Sequence, residues 1–282
     1  MKMYRIIIVV LLNINFLYGQ ETKISAQILD KNNNKIKFAN IGIKDKDLGT
    51  ISDENGLFSI YIPEKNLGDT LTISYVGYNE FKIKITDVIA NKISQFVLEE
   101  SINELSEVVI LSDKIKEVAI GTKSYSSMVA GYVRVNNDKN KDIQEFAKEI
   151  NINKPIKIKS LSVNLFNVKV KTAKFRINFY SIKNNLPFEN INQQNIILTH
   201  DIETGWNKFD ISDYDVKLAK SFFISLEYIP DNDNTDEPFR YSGQLFGRSI
   251  TRTSSLGNWK TKKGLSISIY LTANQSVGNI SN

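Results

Sequence analysis

His200 is the single histidine of the chain, and it stands between Thr199 and Asp201. A Ser-His-Asp relay also needs a serine on a sharp turn, and no Gly-x-Ser-x-Gly segment occurs. There is no cysteine, which removes thiol catalysis, disulfides and thiolate-held zinc or iron–sulfur clusters. One imidazole cannot supply the two or three nitrogen ligands usual at catalytic zinc. Glycosidase chemistry needs two facing carboxylates, and Glu203, Asp210 and Asp231 are available, but spacing along a chain does not give spacing in space. Oxygen-rich clusters occur at Asp45, Asp47 and Asp53 and again over Asp231-Asn-Asp-Asn-Thr-Asp236. Neither has the ligand order and terminal glutamate of a calcium loop, so both read as turns. No phosphate-cradling or dinucleotide-binding glycine pattern is present. The two tryptophans remain. Trp206 follows Thr204-Gly205 and Trp259 follows Gly257-Asn258, so each indole sits beside a turn where it could stack on a sugar ring, the alternative being core packing. These residues predict no catalytic centre, no metal and no cofactor, with Trp206 and Trp259 as the ligand-binding candidates.

Such residues need a scaffold, and 282 residues with 41% hydrophobic and 24% charged side chains suffice for about two domains. The first 19 residues have a different pattern. Lys2 and Arg5 precede the apolar run Ile6 to Leu12 and a tail ending at Gly19. About 14 residues at ~1.5 Å each reach only ~21 Å, short of the ~30 Å hydrocarbon core. Residues 1–19 therefore read as a signal peptide. The mature protein is expected to be exported: periplasmic, outer-membrane-associated or extracellular. No other run is long and apolar enough to predict a membrane-spanning helix. Removing the leader takes away two of the 36 basic residues and none of the 31 acidic ones, for a net charge of +3. That excess is spread thinly and forms no basic stripe, so nucleic acid is not an expected partner.

From Lys23 onward the hydrophobic period is two. Ile24, Ala26 and Ile28 alternate with polar residues, as do Ala39, Ile41 and Ile43, and further short runs cover Thr50–Ser52, Leu57–Ile62, Thr70–Tyr75, Glu80–Ile85 and Gln95–Leu98. Turn residues separate them: Asp30 to Asn34, Asp53-Glu-Asn-Gly56, Pro63, Gly68-Asp69 and Gly77. Seven short strands without a helix predict a small antiparallel sandwich. Three segments within it, Phe38 to Lys44, Gly49 to Phe58 and Leu71 to Tyr78, resemble the carboxypeptidase regulatory-like domain. The resemblance covers about Lys23 to Leu98. It implies a prealbumin-like (transthyretin-like) fold and a place in the cell envelope of Bacteroidetes; the family name records an accessory role and confers no peptidase activity.

The following segment, Leu98 to Ile110, resembles the stretch after this domain in TonB-dependent outer-membrane receptors. The residues beyond it are too few for a plug and a large barrel. Glu107-Val-Val-Ile110 reads as an interdomain strand, or as an edge that pairs with an energy-coupling partner. Beyond Lys123 the period-two signal returns at Ile156–Leu165, Val168–Val170, Phe175–Tyr180, Ile196–Leu198, Trp206–Ile211, Ser221–Ile229 and Gly264–Ala273. Glu145 to Ile150 fits either a helical stripe or a strand, and its short length and β surroundings favour the strand. A larger jelly-roll-type sandwich is predicted. The pieces Phe175 to Tyr180, Gly205 to Ile211 and Phe222 to Glu227 resemble a domain often found C-terminal to the first one. The expected architecture is all-β: signal peptide over 1–19, regulatory-like sandwich over 20–100, connector over 101–122 and jelly-roll-like sandwich over 123–276. The expected function is an exported, non-enzymatic binding or scaffolding protein whose partner is a carbohydrate or an envelope protein. The alternatives are an accessory to a TonB-dependent receptor, or a hydrolase with an acidic pair in the second domain.

Overall fold

The structure is a computed structural model that describes residues 21–101, 115–133, 142–230 and 237–276. The segments read as a signal peptide, as an interdomain strand over Glu107–Ile110 and as a turn over Asp231–Asp236 lie outside these residues.

The first domain has the seven expected strands: β1 (Glu21–Asp30), β2 (Asn40–Gly42), β3 (Gly49–Ile51), β4 (Leu57–Pro63), β5 (Thr70–Ser74), β6 (Phe81–Lys84) and β7 (Gln95–Leu98). They form two sheets, ordered β4-β1-β7 and β3-β2-β5-β6. Every second residue of β1 and β4, including Ile24, Ile28, Ile60 and Ile62, turns inward to a core completed by Ile41, Leu71, Ile73 and Phe96. Asp53 shapes the turn before β4 as expected, accepting bonds from the backbone N–H groups of Asn55 at 2.7 Å and Leu57 at 2.9 Å. Two details depart from the sequence reading. A helical turn, α1 (Ile85–Ala90), carries Ile85 and Val88 into the core. Its role is to bring β7 back beside β1 in a parallel pair, so the domain is not wholly antiparallel.

The second domain is the larger β-sandwich that was predicted. Its described strands are β8 (Ile115–Gly121), β9 (Ser126–Tyr132), β10 (Gln144–Ile150), β11 (Ile156–Phe166), β12 (Thr172–Lys183), β13 (Leu186–Asn190), β14 (Ile196–Asp201), β15 (Gly205–Asp210), β16 (Lys217–Leu218), β17 (Phe222–Ile229), β18 (Arg240–Arg252), β19 (Lys260–Ile267) and β20 (Ile269–Ser276). They are hydrogen-bonded into one sheet that doubles over on itself. The front half runs β13-β12-β17-β10-β18, and β18 hands over to β11 through Leu165–Tyr241 and Phe166–Arg240. The back half is β11 with β20, β15 and β16, closed by β8 on β20. Between the halves lies a core of Phe175, Ile177, Phe179, Phe222, Ile224 and Leu226 from the front and Leu161, Val163, Phe209 and Leu271 from the back.

The stretch from Glu145 is a strand, as chosen. Val168–Val170 is not: Asn167 takes a left-handed φ of 51° and turns the chain out of the sheet. The run Gly264–Ala273 divides at Ser268, where β19 of the front half passes into β20 of the back. Residues 115–121 of the segment read as a connector form β8 and pair with β20 along seven residues.

Candidate functional site

The two tryptophans lie on opposite outer faces of the second sandwich and build no common site. Trp206 is on β15 in the back half. Its cross-strand neighbour is Asn164 on β11, and Ser162 on β11 is opposite both Lys208 and Tyr270. Directly opposed residues of an antiparallel pair point to the same face. Trp206 and Tyr270 therefore flank a floor of Ser160, Ser162 and Asn164 on the face away from the core. The two rings lean together across β11, with centroids 4.9 Å apart and planes at 67°, and Tyr125 meets the indole edge-on at 6.0 Å. Ser160, Ser162 and Asn164 are at most 2% exposed, whereas Trp206 and Tyr270 are partly buried and Tyr125 is exposed. Beneath this roof the Ser160 Oγ and Asn164 Nδ2 have no hydrogen-bond partner. A buried amide without a partner is costly. The Lys123 ammonium sits over the Tyr270 ring at 5.4 Å. Sequence reading found Trp206 from its turn; Tyr270 and Tyr125 carry no local signal, because only the sheet register brings them to it.

Trp259 is on the front half. Its indole packs edge-on to Tyr180 at 5.5 Å and receives the Arg252 guanidinium over its face at 4.7 Å. It closes a small cluster with Ala147, Phe223 and Ile250.

Beneath Trp259 runs a network of buried charge. Glu145, Glu227, Arg176, Asn178 and Ser225 are nearly or wholly buried on the outer face of the front half. The Asn178 amide donates to both carboxylates, at 3.0 Å to Glu145 and 3.2 Å to Glu227. Arg252 donates to Glu145 at 2.5 Å and to the Tyr180 hydroxyl at 2.9 Å, and the Tyr180 hydroxyl donates to Glu145 at 3.0 Å. Arg176 lies 3.3 Å from Glu227. Burial pushes the Glu227 carboxyl up to about 7 against the pull of Arg176, and the nearby Glu145 adds to the rise. Here a pair of facing carboxylates does exist, at positions the sequence had not singled out. Glu203 and Asp210, which it had, stand at the two ends of β15, where Asp210 caps Ser212.

The first domain meets this network at Arg176. Arg176 donates at 2.7 Å to the Asn40 side chain on β2 and also to the Phe38 carbonyl. Around that anchor, Lys174 bonds Glu54 at 2.8 Å, Asn258 bonds the Asp45 carbonyl at 2.5 Å, and Lys260 pairs with Asp47. Asp45 and Asp47 are thus interdomain contacts, and among the described residues no cluster could hold a metal ion. His200 tilts against Phe209 with ring centroids 4.7 Å apart.

Residues 24–110 match the family model of the CarboxypepD_reg-like domain, and the first sandwich is a carboxypeptidase regulatory-like domain. No curated protein matches the sequence. Among solved structures, the chain is similar to the cysteine protease and lectin-like domains of Cwp84, a surface layer associated protein of Clostridium difficile. The identity is 11% and the TM-score 0.35, over 48% of this chain and 32% of that one. Against the clostridial Cwp84 after propeptide cleavage the values are 12% and 0.38, over 92% and 71% of the two chains. Against the VP2 subviral particle of infectious bursal disease virus they are 10% and 0.26, over 93% and 62%. This chain spans about a third of the first of these. At such TM-scores none bears on what this protein binds.

Proposed function

We propose that the protein is an exported, non-enzymatic binding protein of the cell envelope, in which a regulatory-like domain is fixed to a larger sandwich that takes a sugar ring of a glycan or surface polymer at Trp206. The observation that carries this reading is the Trp206–Tyr270–Tyr125 group over unpartnered Asn164. The partly buried rings supply apolar faces for the C–H side of a pyranose. The rings meet near a right angle, so they make a notch that fits one sugar better than an extended strip would. Glu145 and Glu227, the facing carboxylates, have no exposed surface, so the reading assigns them a structural role.

A glycan array followed by calorimetry on the best ligand tests the reading. Trp206→Ala is expected to weaken binding at least tenfold, with a stability cost like that of Trp259→Ala because the two indoles are both partly buried, and added salt to alter affinity little. Trp259→Ala is expected to leave binding intact and to cost roughly half of the ~3–5 kcal/mol of a fully buried aromatic. Equal binding by the parent and Trp206→Ala ends the proposal for this site.

A further inference from the structure

Away from the Trp206 notch, the β18–β19 ribbon carries apolar side chains where a soluble surface has no use for them. Cross-strand pairing is regular from Gly243–Ile267 to Leu245–Leu265 and resumes only at Arg248–Lys263. Phe246 and Gly247 form the extra loop between, both with left-handed φ, 69° and 125°. A bulky aromatic in that region is a true outlier, and bulges serve to re-aim a side chain. Here the result is to push Phe246 outward: it is 88% exposed, with Leu245 beside it at 64%.

A second irregularity adds a third group. β9 pairs with β18 at Ala130–Ser242 and then at Ser126–Gly243, so residues 127 to 129 bow out between consecutive positions of β18. Met128, in that bow, is 91% exposed. Gly243 and Leu245 are two residues apart, about 7 Å at strand spacing, so the two bulges lie close along β18, one on its β9 edge and one on its β19 edge. Strain at the Phe246 backbone and exposure of three large apolar side chains are separate observations that converge there.

The charge around the rim is mainly positive. Lys263 stands directly opposite Arg248, and Lys262 opposite Ser249; both lysines are exposed. Neither pairs with a carboxylate among the described residues, and Glu149 on β10 is held by Arg248 at 2.5 Å. A cleft of about 230 Å³ opens under Phe246, with Lys148, Arg248, Gln244 and Ser266 in its walls. An apolar projection ringed by lysines and arginine is complementary to an anionic lipid surface: the side chains enter the headgroup boundary and the cations meet the phosphates. A protein partner would need shape on a larger flat area, which two narrow bulges do not offer.

We propose that the Met128–Leu245–Phe246 rim is a peripheral anchor for an anionic phospholipid surface, with Lys262 and Lys263 as its electrostatic contacts. The inference does not depend on glycan binding, because it uses none of the same residues.

Co-sedimentation of the purified protein with phosphatidylcholine vesicles, with and without phosphatidylglycerol, tests it. Binding is expected only with phosphatidylglycerol and is expected to fall as salt rises. Phe246→Ser, at a solvent-facing position, is expected to keep the parent melting temperature and lose at least tenfold in vesicle affinity. Lys262→Glu with Lys263→Glu is expected to lose a similar factor at low salt. A Phe246→Trp protein should show a blue-shifted emission on the vesicles. No binding to either vesicle overturns the proposal. So does equal binding by parent and Phe246→Ser. A parent that sediments as a dimer, becomes monomeric on Phe246→Ser and ignores vesicles would make the rim a contact between two copies, which also overturns it.

Discussion

Glu227 is a residue whose surroundings act strongly on its chemistry. Its carboxyl is buried beside Glu145 and raised to about 7, from an ordinary value of 4.5. In the interval between those values the folded protein holds a proton that the unfolded chain releases. Through this group, folding therefore becomes more favourable as pH falls from about 7 toward 4.5, and less favourable as pH rises. Asp142, raised by burial despite its bonds from Ser255, acts in the same direction. The opposite contribution comes from exposed carboxylates held low by lysines, such as Asp215, lowered to about 2 by Lys157 and Lys217. Theirs is lost only as the solution becomes more acid than an ordinary carboxyl. Thermal melts are thus expected to peak in mild acid, and Glu227→Gln to flatten the slope between about pH 5 and 7. An unchanged slope in that variant would show that Glu227 is not the group responsible.

The edge of β2 and β3 makes the first domain fit the second. A Cβ on Gly49 would come within 2.4 Å of the Ser255 carbonyl, and one on Gly42 within 2.8 Å of the same atom. These are backbone contacts and cannot give way as a flexible side chain would. Gly49→Val is expected to open the interdomain contact while each core stays folded, seen as a new low-temperature melting step and faster proteolysis near Ser255; a single unshifted transition would count against it. At this scale the sequence was readable where one strand face is buried and the other wet, as along β1, β4 and β7 of the first domain. It was unreadable at β18, whose two glycines and outward Leu245 and Phe246 break the alternation, and at β8, a largely exposed edge strand. Asn184-Asn185, with φ of 52° and 59°, did carry a signal: two residues suited to the left-handed turn that joins β12 to β13. The two tryptophans show the remaining limit. Each follows similar turn residues, yet register and topology send them to opposite faces, one to a notch and the other over Arg252.

For the whole molecule, the unusual fact is where its buried charge lies. Arg176 is a polar residue on the outward face of β12 by alternation, and nothing local shows that another domain covers it. Its guanidinium serves Glu227 in one domain and Asn40 and Phe38 in the other. Removing one side of such a buried group costs about 3–5 kcal/mol. Folding and domain closure are thereby joined, since Arg176 gains its Asn40 and Phe38 partners only when the first domain is in place. The peptide between the domains is then not what keeps them together. If a protease site were placed between residues 102 and 114 and cut, the two pieces should leave a sizing column as one species, and come apart once Arg176→Ala is introduced. Separation of the parent immediately after cutting would show the contact to be too weak for this. Thermodynamically the chain is a heterodimer whose subunits happen to be made in equal number by one translation, and a ligand or surface gripped by either subunit is held by both.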